Sequence, residues 1–290
     1  MTTYSIVEME QGSQEWLSWR RGKIGASDAP VIMGVSKHKT PLQLWEEHIF
    51  GKTQETNFAM ESGKDAEPIA RACFNVDNSV FFEPVCLQSK EHPWRIASLD
   101  GWTKERVNGL PRILEIKKAS AEDHQTAFNG QVPKHYYPQL QHQMDLEGET
   151  HAIYLSWYHR SGIKVIVEKN EDYCKELLRK EEEFYGMLNS FQAPEPTERD
   201  VVELNDDSKI ILARTYRTVS DKIEELQKEK DAIKEALIKS CSHPRVNVGG
   251  IKLRQDLVRG RVDYEKIEVL KTIDLNKYRK PSSVVWRVYL

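Results

Sequence analysis

An aspartate at the end of one apolar run and an acid–x–base pair inside the next make up the most reactive-looking pattern in this sequence. They are Asp100 in Ser98-Leu99-Asp100-Gly101, and Glu115 and Lys117 in Leu114-Glu115-Ile116-Lys117. In a strand successive side chains alternate, so Ile113, Glu115 and Lys117 share one face while Leu114 and Ile116 share the other. Ionised groups buried there without partners would be costly, and Asp100 is placed to supply one. Two hard-oxygen carboxylates can hold a divalent cation such as Mg²⁺, with the Ile116 carbonyl as a backbone ligand between them. A lysine amine beside them could orient or deprotonate a water. Such a set meets the demands of phosphodiester hydrolysis: a metal, an activated water and positive charge facing the phosphate in the transition state. The same residues also read as an ion pair on an exposed strand.

Other chemistries find less support. The four cysteines, Cys73, Cys86, Cys174 and Cys241, are scattered, with no spacing that would wrap zinc or an iron–sulfur cluster, and are expected to be reduced thiols. Among the nine histidines the closest pair is His135 and His142, two helical turns apart and too distant for one ion. No Gly-x-Ser-x-Gly elbow, P-loop or dinucleotide fingerprint is present, so ATP-driven unwinding is not expected. No run approaches the apolar length of a membrane span, and the first residues lack a signal-peptide pattern, which reads as a cytoplasmic protein. The net charge is −3 over 290 residues. It is unevenly spread: Cys241–Leu290 holds 11 Lys/Arg against 5 Asp/Glu, a local +6 that leaves −9 on residues 1–240. A polyanion partner would need locally concentrated cations, or acidic sites neutralised by metal.

The elements that must position these residues follow from periodicity. Residues 1–60 suggest short helices around Trp16, Trp19 and Arg20, broken at Gly22, Gly25 and Gly34. A helix is predicted from Lys64, with Pro68 in its first turn and Ile69 and Cys73 facing inward. Alternating runs at 80–87, 95–102, 112–118, 152–158 and 164–169 read as strands, with helices over 134–148 and 171–188. The implied fold is α/β in the α+β sense, a mixed central sheet flanked by helices. Residues 193–200, with two prolines, read as a linker between a domain at 1–192 and an extension at 201–290. In the extension Leu212, Tyr216, Val219, Ile223, Leu226, Lys230, Ile233 and Leu237 recur at alternating spacings of four and three, a heptad seam. A hairpin turning at Gly249–Gly250 and a basic tail follow.

Asp-x(n)-Glu-x-Lys resembles the signature of the PD-(D/E)xK nucleases, and further segments resemble the phage lambda exonuclease and YqaJ-type viral recombinase group among them. They are Trp16-Leu17-Ser18-Trp19-Arg20, Gly25-Ala26-Ser27, Met60-Glu61-Ser62-Gly63-Lys64-Asp65-Ala66-Glu67 with Arg71 beyond, the two segments above, and Gln139-Leu140-Gln141-His142-Gln143. They occur in the family's order across about two thirds of the chain. The resemblance implies a restriction-endonuclease-like core, and Glu67 as a third carboxylate for Mg²⁺, with Mn²⁺ as a substitute. Alone, Glu67 reads as an intrahelical pair with Arg71. The resemblance also implies that Arg20 and Ser27 grip a terminal 5′-phosphate, a task suited to the guanidinium fork. It gives Gln139 a contact to the reacting end of the DNA, with Gln141 and Gln143 close enough for the assignment to slip, and gives Met60 the role of a strand-separating wedge. The implied activity is 5′-to-3′ digestion of one strand of linear duplex DNA, leaving a 3′ overhang for recombination. The implied partners are duplex ends, two further copies in a ring-shaped trimer and a phage single-strand annealing protein, within a bacterial host cell. A sibling endonuclease or end processor, or a non-catalytic DNA-binding module, are the alternative readings.

Overall fold

The structure, a computed structural model, describes residues 2–51, 58–202 and 204–256 and, beyond these, positions 260, 263, 266–268, 273, 278 and 279; the side chains of 58–64 lie outside the described set. The chain divides into two compact units, Met1–Val202 and Glu203–Leu290. In the first, β1 (Tyr4–Val7) leads into α1 (Gln14–Arg20), β2 (Ile24–Gly25), a 3₁₀ turn at Ala26–Asp28, α2 (Ala29–Ile32) and α3 (Pro41–Phe50). Then come α4 (Phe58–Asn78), β3 (Glu83–Ser89), β4 (Arg95–Trp102), β5 (Ile113–Lys118), α5 (Ala121–Phe128), α6 (Tyr137–Glu147), β6 (His151–Tyr158), β7 (Ser161–Glu168) and α7 (Glu171–Ser190). The second unit holds α8 (Asp207–Ser240), β8 (Arg245–Val248) and β9 (Ile251–Arg254).

The sheet runs β1-β3-β4-β5-β6-β7, with β2 beside β4. Only β2–β4 and β5–β6 are parallel, the latter joined through α5 and α6, so the sheet is mixed as its patterning implies. Helices cover both faces. Leu87, Ala97, Leu99 and Ile113 pack with Leu140 and Met144 of α6, while Leu114, Ile116, Ile153 and Leu155 pack with Ala70 and Phe74 of α4. Thus β5 lies between two helical layers, and its alternation sends Glu115 toward α6. Pairing of β4 with β5 spans only Gly101↔Leu114 and Trp102↔Ile113, after which the strands fork. Glycine is required at 101, where a Cβ would lie 3.0 Å from the Phe82 Cβ and 3.1 Å from that of Leu114.

Two expectations about α4 are corrected. The helix begins at Phe58, so Pro68 lies in its interior and not in its first turn. Its inward stripe is Ala66, Ala70 and Phe74, whereas Ile69 is 57% exposed and Cys73 is exposed. Alanines let the helix approach the sheet closely, and the bulkier residues are left outside.

A buried polar network ties β4, α6 and α7 together. Arg95 Nε donates to Glu181 Oε2 (2.6 Å) and Nη1 to Asp145 Oδ2 (2.5 Å). His142 Nδ1 meets Glu181 Oε1 at 2.6 Å, and its Nε2 meets the Ile96 carbonyl at 3.0 Å. Burial opposes the Glu181 charge, but His142 and Arg95 outweigh it and hold the carboxyl below its ordinary range. Residues 197–200 fold onto the first unit: Arg199 donates to the Ser36 and Lys37 carbonyls and Asp200 accepts from Thr40. In the second unit none of α8 is buried, and the hairpin turns at Gly249 and Gly250, both at positive φ. Among the described residues no helix is long and apolar enough to cross a membrane.

Candidate active site

Asp100 and Glu115 meet where β4 and β5 fork. With no opposing strand backbone there, the Ile116 N–H donates instead to Asp100 Oδ2 at 2.8 Å. Glu115 is fully buried, and both its oxygens are held by glutamine amides from α6: Gln139 Nε2 to Oε1 and Gln143 Nε2 to Oε2, each at 2.6 Å. Lys117 Nζ lies 2.6 Å from the same Oε1, and the Tyr136 ring sits beside it, centroid 5.6 Å away. Burial pushes the Asp100 carboxyl well above the ordinary range, helped by the charges of Glu115 and Glu67; Lys117 and the Ile116 N–H offset this only in part. Burial pulls the Lys117 amine down, but Glu115 and Asp100 outweigh it and hold it above the ordinary lysine range. In this arrangement the amine is a donor and counter-charge to Glu115.

The predicted phosphate grip lies in the same place. Arg20 Nη2 donates to Ser27 Oγ (3.0 Å), and its guanidinium lies 4.6 Å from the Trp16 ring centroid, as in a cation–π contact. Trp16 Nε1 in turn donates to Ser98 Oγ at 2.9 Å, fixing the ring against β4. Gly25 makes room for the arginine, since a Cβ there would stand 3.2 Å from Arg20 Nη2. A single cavity of about 180 Å³ is lined by Trp16, Arg20, Gly25 and Ser27 on one side and by Asp100, Glu115, Lys117 and Gln139 on the other.

Other expected residues fall elsewhere. Glu67 pairs with Arg71 at 2.8 Å, the i,i+4 pair, while the same Arg71 nitrogen donates to the Asp100 carbonyl. Glu67 is near enough to raise Asp100 yet is absent from the cavity lining. Among the described residues no three His, Cys, Asp or Glu side chains converge as they would around an ion. Met60 belongs to α4, but its side chain lies outside the described residues. Gln141 faces away, bonding the Glu168 carbonyl and the Asn170 N–H. Trp19 donates to Gln88 Oε1 at 3.1 Å, at the protein surface layer and not in the cavity. Gln143, one helical turn after Gln139 and named beside it from the sequence, holds Glu115 as well. One contributor was not expected. Gln11, which lines the cavity and donates to the Val85 and Leu99 carbonyls, carries no signal in its neighbours.

Residues 15–150 match the YqaJ-like viral recombinase domain. The uncharacterized protein YqaJ of Bacillus subtilis (strain 168) is 28% identical over 178 residues, 60% of this chain; the chain spans about half, 52%, of that relative's length. In architecture the chain is similar to an alkaline exonuclease, LHK-Exo, of Laribacter hongkongensis: TM-score 0.53 at 23% identity, covering 62% of this chain and 94% of that one. The same enzyme in complex with dAMP gives 0.52 at 22% identity, over the same shares. The forked sheet, its α6 glutamines and the ordered segments from Trp16 to Gln143 thus lie within or beside a stretch that matches the YqaJ-like viral recombinase domain, on a fold similar to that of an alkaline exonuclease.

Proposed function

We propose that this chain is a Mg²⁺-dependent exonuclease that degrades one strand of linear duplex DNA from its 5′ end and leaves a 3′ single-stranded overhang. The observation that carries the reading is the shared cavity: a guanidinium and a hydroxyl suited to a phosphate face two carboxylates and a lysine across about 180 Å³. The family resemblance and the alkaline-exonuclease fold support the same conclusion.

The donor set fits a hard divalent cation. Glu115 is fully buried and Asp100 half-buried, and the repulsion between these crowded carboxylates is one a cation would relieve. In a strand, the N–H and C=O of one residue leave by the same edge, so the Ile116 carbonyl shares the edge on which its N–H meets Asp100. Glu67 would join the set on leaving Arg71. When bound, the metal supplies Lewis acidity and lowers the pKa of a bound water. The protein's residues do the rest. Arg20 and Ser27 hold the terminal phosphate, which fixes the distance from the end to the scissile bond. Lys117 keeps its charge beside the reacting phosphate, where it can orient the attacking water and offset developing negative charge. Gln143 anchors Glu115 through Oε2, so that Oε1 can change partners while the carboxylate stays in place. Gln139, bonded to Oε1, is then available to the DNA.

The resemblance supports a ring-shaped homotrimer around the substrate, a phage single-strand annealing protein as partner and a cytoplasmic site of action. We assign the activity to residues 1–192 and treat 193–200 as a connection to the extension. The test is a linear duplex labelled at one 5′ or one 3′ end, with Mg²⁺ and either native protein or Lys117→Ala. Early release of the 5′ label by the native protein alone is expected, with covalently closed circles spared. Equal digestion by the two proteins would remove the mechanism, early loss of the 3′ label would reverse the polarity, and nicking of closed circles would favour an endonuclease.

A further inference from the structure

The second unit contains a surface for which the exonuclease reading has no use. Helix α8 runs for 34 residues, capped by Asp206, whose side chain accepts from the Lys209 N–H, and free of glycine and proline. None of its residues is buried. Its heptad seam lies open: Leu212, Tyr216, Val219, Ile223, Leu226 and Ile233 are each 51–68% exposed. A surface helix of this length draws its stability mainly from covering such a stripe.

We propose that α8 pairs with α8 of a second copy of this chain, antiparallel, in a two-stranded coiled coil; such a pair needs a twofold axis, so within the trimeric reading the second copy belongs to another ring. The seam is symmetric about the midpoint between Glu224 and Glu225. Reversing one helix about that point sets Ile223 against Leu226, Val219 against Lys230, Tyr216 against Ile233, and Leu212 against Leu237. Every layer of one copy therefore finds a layer of the other, over more than three heptads, the length such pairings need.

Charge selects the direction. Lys230 occupies an a position. Parallel pairing would stack it on Lys230 of the other copy inside the seam, whereas the reversed pairing meets Val219 and lets the lysine stem lie along apolar surface with its amine in solvent. On the flanks, reversal brings Lys222 of each copy to Glu229 of the other, two attractive pairs. Parallel alignment also gives two, Glu229 with Lys234, but keeps the buried like-charge layer. A second copy is the occupant chosen because the complement of this seam is the seam itself.

The experiment is disulfide trapping in the full chain. In a background with Cys73→Ser and Cys241→Ser, which leaves only the buried Cys86 and Cys174, Val219→Cys and Lys230→Cys are made as separate proteins of different tag mass. They are co-expressed and oxidised. The expected product is the mixed 219–230 dimer, with little linking of either variant to itself. Adding Ile223→Glu to both chains places a charge in the central layer and should reduce the mixed product at least about tenfold, a cost above about 1.4 kcal/mol, while the thermal unfolding of the first unit stays as before. Linking of Lys230→Cys to itself would overturn the antiparallel arrangement. Absence of any linked product, or a mixed product insensitive to Ile223→Glu, would overturn the pairing altogether.

Discussion

Replacing Gln143 with leucine separates the work of holding a ligand from the work of holding the fold. The amide donates to Glu115 Oε2 at 2.6 Å, while its own Oε1 is buried with no partner. Leucine removes both at nearly constant volume. Loss of a hydrogen bond to a charged group costs about 1.5–3 kcal/mol, and relief of an orphaned buried carbonyl returns about 1–3 kcal/mol. The two nearly cancel, so the denaturation midpoint should move little, by less than about 2 kcal/mol in stability. The Glu115 carboxylate, however, loses its only donor on Oε2 among the described residues and is no longer fixed for a metal. Removing an outer partner of this kind lowers metal affinity roughly 10–100-fold. Digestion of an end-labelled duplex across a Mg²⁺ series should therefore show a half-saturating concentration raised by about that factor, with the rate recovering to within a few fold at saturation. Isothermal titration of the protein with Mn²⁺ should show the same loss without DNA. An unchanged metal response with a depressed maximal rate would refute the positioning role, and a large drop in stability would show that the amide serves packing.

Arg20→Ala should weaken discrimination between 5′-phosphorylated and 5′-hydroxyl ends by about tenfold or more, the value of a charge-assisted contact; competition between the two ends measures it, and equal preference in both proteins would count against the grip. Gly25→Ala should act in the same direction but less, because its methyl would stand 3.2 Å from Arg20 Nη2 and push the guanidinium aside; a crystal structure with Arg20 unmoved would count against it. Glu181 has a depressed folded pKa, so it contributes stability above its ordinary value of 4.5 that is lost as pH falls through the lower folded value. Glu181→Gln should thus cost about 3–5 kcal/mol at neutral pH, with the gap to native protein narrowing in acid; a gap constant with pH in denaturant titrations would contradict this.

Much of the core could be read from residue types alone. The run at 95–102 is β4 residue for residue, and Glu115 and Lys117 leave one face of β5 as period-two alternation requires, lining one cavity with Asp100. Such strands are legible because their apolar alternation is also their packing. The failures have physical causes. The inward face of α4 is carried by alanines, whose small size is what permits close packing, so hydrophobicity pointed to Ile69 and Cys73. The four-residue β1 buries only Tyr4, too little for a pattern. The meeting of Arg20 with the carboxylates depends on a turn in which Asp28 accepts from the Gly25 N–H, and no local periodicity reports such a tertiary approach. Glu67 kept its helical partner, as spacing alone suggested.

Strand β5 serves two masters on alternate residues, since Glu115 and Lys117 turn to the cavity while Leu114 and Ile116 are gripped by Ala70 and Phe74 behind it. Tolerance to random substitution along these four positions should consequently differ in kind from one residue to the next. Variants at the first pair should accumulate as well-behaved but inert protein, and those at the second should vanish into aggregates or proteolysis. A screen that scores abundance would see half of the ribbon, and one that scores DNA loss would see it whole.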